Sequence, residues 1–147
     1  MLIGSYTATI DDKSRLRLPA RFRRDLPETV DNTYYITSYT GTCAKIYPLP
    51  VWERIAQKFL ESPRMHPLKV KLQKITSYYG SLSEMDPQGR ILIPADLRED
   101  AQLSGDVRVS GQYDHLEVWN EQNLRSDVRA ALLTPEEWEK AADEMGF

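Results

Sequence analysis

The sequence predicts an α+β protein in which two tandem repeats pack on each other about a pseudo-twofold axis. The first observation is a duplication: DDKSRLRLP at 11–19 returns 75 residues later as DPQGRILIP at 86–94. The second is the alternation of polar and apolar residues within each copy, which is typical of half-buried strands. The third is the number of copies. Two repeats are too few for an extended solenoid, so each half is expected to cover the apolar surface of the other.

The duplication extends beyond the proline. Asp, Arg, Pro and a second Arg occupy equal offsets in both copies, and most other matched positions hold apolar residues of similar size. Chemically dissimilar residues at fixed offsets indicate an internal repeat. The shared motif is predicted to serve the fold, and its members are Asp11, Pro19, Arg23, Asp86, Gly89, Arg90, Pro94 and Arg98. Within this set, Arg23 and Arg98 are expected to pair with acidic groups.

Each copy is predicted to form a strand, a tight turn, a second strand and a short helix. In the first copy, YTATID at 6–11 and RLRLP at 15–19 alternate as strands, and DKS between them is a turn. Proline is favoured at the first position of a helix, so a short helix is expected from Pro19 to Leu26. In the second strand, the arginines share one face and the leucines share the other.

The remaining elements follow from the same patterns. The predicted further strands are 33–39, 45–50, 106–113 and 115–119. The predicted helices are 51–61, 67–79 and a C-terminal pair. The first helix of that pair has apolar residues at Leu124, Val128 and Leu132, and the second begins with a capping box from Thr134 to Glu137. The first repeat is thus assigned to 1–75, with a module at about 5–50 and following helices. The second is assigned to 76–147, with a module at about 80–123 and C-terminal helices.

Composition excludes several classes of protein. The chain of 147 residues is 41% hydrophobic, and its apolar runs are too short to span a membrane. Its N-terminus lacks the pattern of a secretory signal, so a cytoplasmic location is expected. Cys43 is predicted to be a small core residue, and with His66 and His115 it offers too few ligands for a zinc site. We therefore expect no metal and no cofactor. Trp119, Trp138 and the tyrosines are expected in the core or in helix packing.

Charge is divided along the duplication. Residues 1–75 hold 13 Lys or Arg against 7 Asp or Glu, whereas residues 76–147 hold 6 against 15, so the formal net charge of -3 conceals one basic and one acidic half. A local basic field of this kind is typical of a nucleic-acid contact.

Comparison of the copies identifies the candidate DNA contacts. Four cations of the first copy become Gln, Leu, Asp and Glu in the second, whereas Arg15 persists as Arg90. The candidates are Lys13, Arg15, Arg17, Arg21 and Arg24. Arginine can bind guanine O6 and N7 together or clamp a phosphate. The first copy alone is predicted to contact DNA, with Arg90 contributing little. The alternative is that these cations solvate an exposed face or pair with Asp11, Asp12 and Asp25.

The motif from Asp11 through Lys13 to Arg23, its echo from Asp86, and YPLPVWE at 47–53 resemble the MraZ family of bacterial transcription regulators, which contain two tandem SpoVT-AbrB-type modules. The resemblance implies a mainly-β double-psi or swapped-hairpin AbrB-like barrel with peripheral helices. It also implies a ring-like homo-oligomer, association with the nucleoid, and binding to short G-rich direct repeats upstream of the division and cell-wall gene cluster. It makes Arg15 a DNA contact. Ser14 departs from the family, which usually has glycine there.

Two other classes of function were weighed. Asp11 and Asp86 could in principle share a proton as a catalytic dyad, but the arginine that follows each would keep both ionised. No nucleophile set or phosphate-binding loop accompanies them, so neither catalysis nor a small-molecule substrate is expected. The remaining alternative is an AbrB-like protein-interaction or structural ring module without specific DNA binding.

Overall fold

A computed structural model describes residues 1–27 and 32–147, and the fold is given for these residues. They contain eight strands: β1 (Ser5–Ile10), β2 (Arg15–Arg17), β3 (Thr33–Thr37), β4 (Ala44–Pro48), β5 (Ser81–Glu84), β6 (Arg90–Leu92), β7 (Gly105–Gly111) and β8 (Leu116–Trp119). The same residues contain six helices: α1 (Ala20–Asp25), α2 (Leu49–Glu61), α3 (Pro67–Tyr78), α4 (Ala95–Asp100), α5 (Glu121–Ala130) and α6 (Pro135–Met145).

All eight strands form one antiparallel sheet in the order β5-β3-β4-β8-β7-β1-β2-β6. The two copies exchange strands within it. The first strand of copy one, β1, pairs with β7 of copy two, and the first strand of copy two, β5, pairs with β3 of copy one. The sheet curls until β5 and β6 approach each other, which nearly closes a barrel. Neither copy could form this sheet from its own strands alone.

The strand register demonstrates the pseudo-twofold axis. In the β2–β6 pair, Leu16 faces Ile91, which is its own counterpart 75 residues later. The flanking pairs, Arg15 with Leu92 and Arg17 with Arg90, are related by the same exchange. The axis therefore passes between β2 and β6, and on the opposite side of the barrel between β4 and β8.

The core lies inside the barrel. Leu16 and Ile91 meet there with no exposed surface, and Ile36, Ile46 and Val118 are equally buried. The helices lie outside the sheet, where α1 and α4 each insert one buried side chain into the core, Phe22 and Leu97. This arrangement confirms the predicted α+β class and the barrel built from two tandem repeats.

The short helices begin one residue later than predicted. Pro19 and Pro94 are the N-cap residues, and Ala20 and Ala95 are the first helical residues. Proline suits either place, because its φ is fixed near the helical value and its missing amide would be unpaired at both.

The outer helices are less buried than their apolar patterns suggest. Leu68 on α3 is 59% exposed, and Leu132 just beyond α5 is 69% exposed. Trp119 is buried as predicted, but Trp138 on α6 is half exposed, and its ring contact within the described part of the chain is a tilted one with Phe147. The capping box of α6 is present, with Thr134 and Glu137 bonding each other's backbone amides. These helices therefore leave apolar surface uncovered in the single chain.

Candidate nucleic-acid interface

The two motif turns are built in the same way. Asp11 accepts the backbone amides of Lys13 (2.9 Å) and Arg15 (3.0 Å), and its other oxygen accepts Arg15 Nε at 3.2 Å. In the second copy, Asp86 accepts the amides of Gln88 and Arg90, each at 2.9 Å, and Arg90 Nε at 2.8 Å. The motif aspartate therefore fixes both the turn and the arginine that follows it.

These contacts perturb the aspartates. The backbone amide of Arg15 is the main cause that lowers the pKa of Asp11 below its usual range, and the amide of Lys13 and the guanidinium of Arg15 add to it. The amide and guanidinium of Arg90 lower the pKa of Asp86 in the same way. Both carboxylates stay ionised at neutral pH, which removes the proton that a catalytic dyad would share.

Ser14 occupies a position that favours glycine. Its φ is 68°, and its counterpart Gly89 has a φ of 77°. A residue with a Cβ atom costs about 1 kcal/mol or more in this left-handed region. The backbone of the first turn nevertheless matches that of the second, so Ser14 adds strain without changing the turn's shape.

The outward face of the β2–β6 ribbon (Arg15–Arg17 with Arg90–Leu92) is mostly arginine. Leu16 and Ile91 point into the barrel, so the alternate residues point outward. The amide of Leu18 donates to the Gly89 carbonyl at 3.0 Å, which makes the 17–90 pair one of the closely spaced, non-hydrogen-bonded pairs. The Cβ atoms of Arg17 and Arg90 are thus roughly 4.5–5.5 Å apart.

Like charges directly opposite each other on neighbouring strands destabilise a sheet. Arg17 is exposed and has no ion pair within the described residues. Arg15 and Arg90 each donate Nε to an aspartate. Among the described residues, their terminal nitrogens have no partner and can bind a ligand. The ribbon therefore presents three arginines, of which Arg15 and Arg90 are each balanced by an aspartate and Arg17 has no ion pair among the described residues.

The other predicted contacts are not gathered around this ribbon. The side chain of Lys13 is exposed on the first turn, whose Ser14 carbonyl accepts from Ile93, next to the start of α4. Arg21 and Arg24 lie on α1, on the other side of the ribbon. Arg21 pairs with Asp25 at 3.4 Å, as the alternative interpretation anticipated. The predicted cations are thus spread across the ribbon and both of its flanks.

The position of α1 explains this spread. Arg23 lies against the second copy's turn, where its Nη1 donates to the Gln88 carbonyl at 3.4 Å. A Cβ atom on Gly89 would come within 2.2 Å of Arg23 Cδ. The helix of copy one therefore packs on the turn of copy two, because the strands between them are exchanged.

The prediction that Arg23 and Arg98 pair with acidic groups is wrong for the described residues. Neither forms an ion pair there, and the Nε atom of each is buried without a hydrogen-bond partner. Arg23 instead holds the neighbouring turn through its backbone and its packing on Gly89.

The sequence comparison missed the position of Arg90. Arg90 belongs to the acidic half of the sequence, but the exchanged strands bring it directly opposite Arg17. That copy one alone contacts DNA stays a prediction, and this geometry adds Arg90 to the candidates on the same face. The signal that could have located Arg90 was the symmetry of the repeat, since a pseudo-twofold axis through Leu16 and Ile91 aligns the two motifs.

The described residues offer little for other kinds of site. In the described residues, no three His, Cys, Asp or Glu side chains are placed to hold a metal ion. Cys43 is buried, and burial raises the pKa of its thiol to about 12. His66 caps α3 through Nδ1, which accepts from the Leu68 amide at 3.1 Å. No helix formed by residues 1–27 and 32–147 is long and apolar enough to cross a membrane.

Comparison with models of known protein families identifies the family to which the chain belongs. The family described as "MraZ protein, putative antitoxin-like" matches residues 1–75 and 81–128, which include both motif turns and all eight strands. The chain belongs to the MraZ family. The resemblance drawn from the duplicated motif is thereby confirmed.

Individual relatives agree over the full length. A protein of Acidobacterium capsulatum named "Transcriptional regulator MraZ" is 42% identical over 147 residues, covering all of both chains. A protein of the same name from Koribacter versatilis is 40% identical over 148 residues, again covering both chains completely. The relative so named in Methylococcus capsulatus is 34% identical over 121 residues, which are 82% of this chain and 80% of that one. Their shared name describes a role in transcription, which is non-enzymatic.

Proposed function

We propose that this chain is a transcriptional regulator that binds double-stranded DNA through the outward face of the β2–β6 ribbon. The observation that carries the proposal is the opposition of Arg17 and Arg90, with Arg15 beside them. Arg17 faces a second arginine and has no ion pair among the described residues, so phosphates or guanines against the ribbon would supply the acceptors that it lacks. The names of the full-length relatives support the same role.

The dimensions of the ribbon suit a duplex. Two antiparallel strands are about 4.8 Å apart, and a two-stranded ribbon enters a major groove about 12 Å wide. Arg15 and Arg17 are two residues apart, or roughly 6.7 Å along the strand. Lys13 and the exposed cations of α1 lie on the two flanks, where phosphate backbones border the groove. The ribbon would then contact bases, and the flanks would contact phosphates.

The finer parts of the proposal rest on the family resemblance. Arg15 and its neighbours would recognise short G-rich direct repeats ahead of the division and cell-wall gene cluster, because arginine binds guanine bidentately. The chain would act as a ring-like homo-oligomer in the cytoplasm, associated with the nucleoid. A ring would engage several repeats at once, so that weak single contacts combine.

The test is fluorescence anisotropy on a G-rich direct-repeat duplex selected by the wild-type chain from a random pool. Arg15→Ala, Arg17→Ala and Arg90→Ala should each weaken binding by about 1–3 kcal/mol if the lost contact is a bidentate guanine pair. Lys13→Ala, Arg21→Ala and Arg24→Ala should weaken binding to all sequences and reduce the salt slope by about one for each lost phosphate contact. Lys71→Ala, on exposed α3, is the control.

The outcomes separate the candidate functions. Loss at the three ribbon arginines with no change at Lys71 supports the ribbon. If only the flank variants lose affinity, the ribbon is not the contact. If the wild-type chain binds no duplex even at low salt, the chain is better described as a protein-interaction or structural ring module.

A further inference from the structure

The outward face of the ribbon contains one residue that is not charged. Leu92 is 49% exposed and lies directly opposite Arg15. Single exposed leucines are ordinary on protein surfaces. This leucine differs in its surroundings, because the other three outward positions of the ribbon are arginines.

The pseudo-twofold axis gives Leu92 a second distinction. The axis exchanges Arg15 with Arg90 and Arg17 with Leu92. The first exchange preserves chemistry, whereas the second replaces a cation by an apolar side chain. One end of the ribbon therefore has two arginines, Arg17 and Arg90, and the other has Arg15 and Leu92, although the backbone is symmetric.

We propose that Leu92 is a specificity residue that contacts the 5-methyl group of a thymine in the major groove. The proposal rests on the proposed function, because it places the ribbon in that groove. The thymine methyl is the apolar group that the groove presents, and apolar side chains recognise it.

The spacing of the ribbon supports this assignment. Leu92 and Arg15 form a closely spaced pair whose Cβ atoms are roughly 4.5–5.5 Å apart. Base pairs rise about 3.4 Å, so a guanine held by Arg15 would have its neighbouring base pair beneath Leu92. An apolar side chain gains little from phosphate, which argues for a base contact rather than a backbone contact.

The difference between its two ends also gives the ribbon a direction. A symmetric ribbon could bind a duplex in either of two orientations, because the duplex backbone is itself close to twofold symmetric. With Arg17 at one end and Leu92 at the other, the orientations differ in energy whenever a thymine lies on one side of the guanines. Reading direct rather than inverted repeats requires such a preference.

The experiment compares two duplexes of the same selected G-rich repeat sequence. One contains thymine, and in the other every thymine is replaced by deoxyuridine. Both bases pair with adenine and differ by the methyl group alone. The wild-type chain should bind the thymine duplex about fourfold more tightly for each methyl contacted, the factor expected for burial of one methyl-sized group. Leu92→Ser should bring this ratio close to one.

Leu82→Ser is the matched control. Leu82 is 64% exposed on β5, outside the ribbon, so its replacement should preserve the wild-type ratio. Thermal melting checks that each variant is folded, and Leu92→Gln replaces Leu92→Ser if the serine variant does not fold.

A wild-type ratio of one overturns the proposal, since no methyl is then contacted. A ratio above one that persists in the folded Leu92 variants also overturns it, because another residue reads the methyl. Both results leave the ribbon arginines as DNA contacts. If the wild-type chain binds neither duplex, the proposed function fails and this inference fails with it.

Discussion

At the scale of single residues, position 14 shows how backbone conformation constrains the motif. Ser14 and Gly89 have nearly the same positive φ, but only Gly89 lacks the Cβ atom that makes this region unfavourable. The two sites also differ in available space, since a Cβ atom on Gly89 would collide with the Arg23 side chain. Glycine should therefore be the more stable residue at both positions, and the penalty for serine should be larger at position 89.

Ser14→Gly should raise the free energy of unfolding by about 1 kcal/mol, because it removes a left-handed serine. In a chain of this size, this corresponds to a melting temperature about 2–4 °C higher. Gly89→Ser should lower the free energy of unfolding by more than about 1 kcal/mol, because strain and collision add. Circular-dichroism melts of both variants provide the measurement. Destabilisation by Ser14→Gly would show that the serine hydroxyl has a stabilising role.

At the scale of elements, the motif turns are self-contained units. One carboxylate satisfies two backbone amides and orients the following arginine, which is why Asp and Arg recur at this offset in both copies. These contacts are local in sequence, and the sequence predicted the turn and the ionised aspartate beside its arginine. Asp12 is the natural comparison, because it lies in the same turn and is exposed.

Acid should weaken both turns. The folded pKa values of Asp11 and Asp86 are lower than usual, so their stabilising contribution is complete above the unfolded value near pH 4 and is lost as pH falls through the lowered folded values. The melting temperature of the wild-type chain should therefore fall below about pH 4. Asp11→Ala and Asp86→Ala should each lower the melting temperature at pH 7 and flatten its dependence on pH. Asp12→Ala should change neither, and an equal effect of Asp12→Ala would contradict the role of the turn carboxylates.

At the scale of the whole molecule, strand exchange makes the two repeats depend on each other. β1 finds its long partner in β7 of the other copy, and β5 finds its partner in β3. The buried pair Leu16 and Ile91 also joins the two copies, because one residue comes from each. The repeats are units of sequence, but the barrel is the unit that buries a core.

Separate halves should therefore fail to fold. Fragments 1–79 and 80–147 each lack the strands that complete their sheets, so each alone should show little native circular dichroism and no cooperative melt. Mixing the two should restore a cooperative transition, because together they supply all eight strands. A fragment that melts cooperatively as a monomer by light scattering would show that a repeat folds independently.

The charge division has a second consequence at this scale. Residues 49–78, which include α2 and α3, hold six Lys or Arg against two Asp or Glu, and residues 121–147, which include α5 and α6, hold three against seven. Both segments expose apolar residues, such as Leu68 and Trp138. Contact between unlike faces of neighbouring copies is head-to-tail, and such contacts close into rings when the rotation permits.

Oligomers formed in this way should dissociate into smaller species as salt rises, because exposed charge pairs are screened. Light scattering between low and high ionic strength measures the change. A chain that is monomeric at low ionic strength would contradict the proposed ring, and an assembly whose size does not depend on salt would show that apolar contacts dominate.

The sequence by itself determined the features that depend on neighbouring residues. The turns at Asp11 and Asp86, the helices after Pro19 and Pro94, and the inward positions of Leu16 and its counterpart all follow from local conformational preference and from alternation. The internal repeat also determined that two halves must combine. Only the tertiary structure decided which strands pair across the halves, because pairing energy depends on residues far apart in sequence, and periodicity does not encode partners. Because of this pairing, Arg90 lies opposite Arg17 and Leu92 lies among arginines. For the same reason, α1 packs on the turn of the other copy. The local chemistry of the site could thus be predicted from the sequence. Strand exchange, whose partners the sequence did not predict, brings the site residues together on one surface.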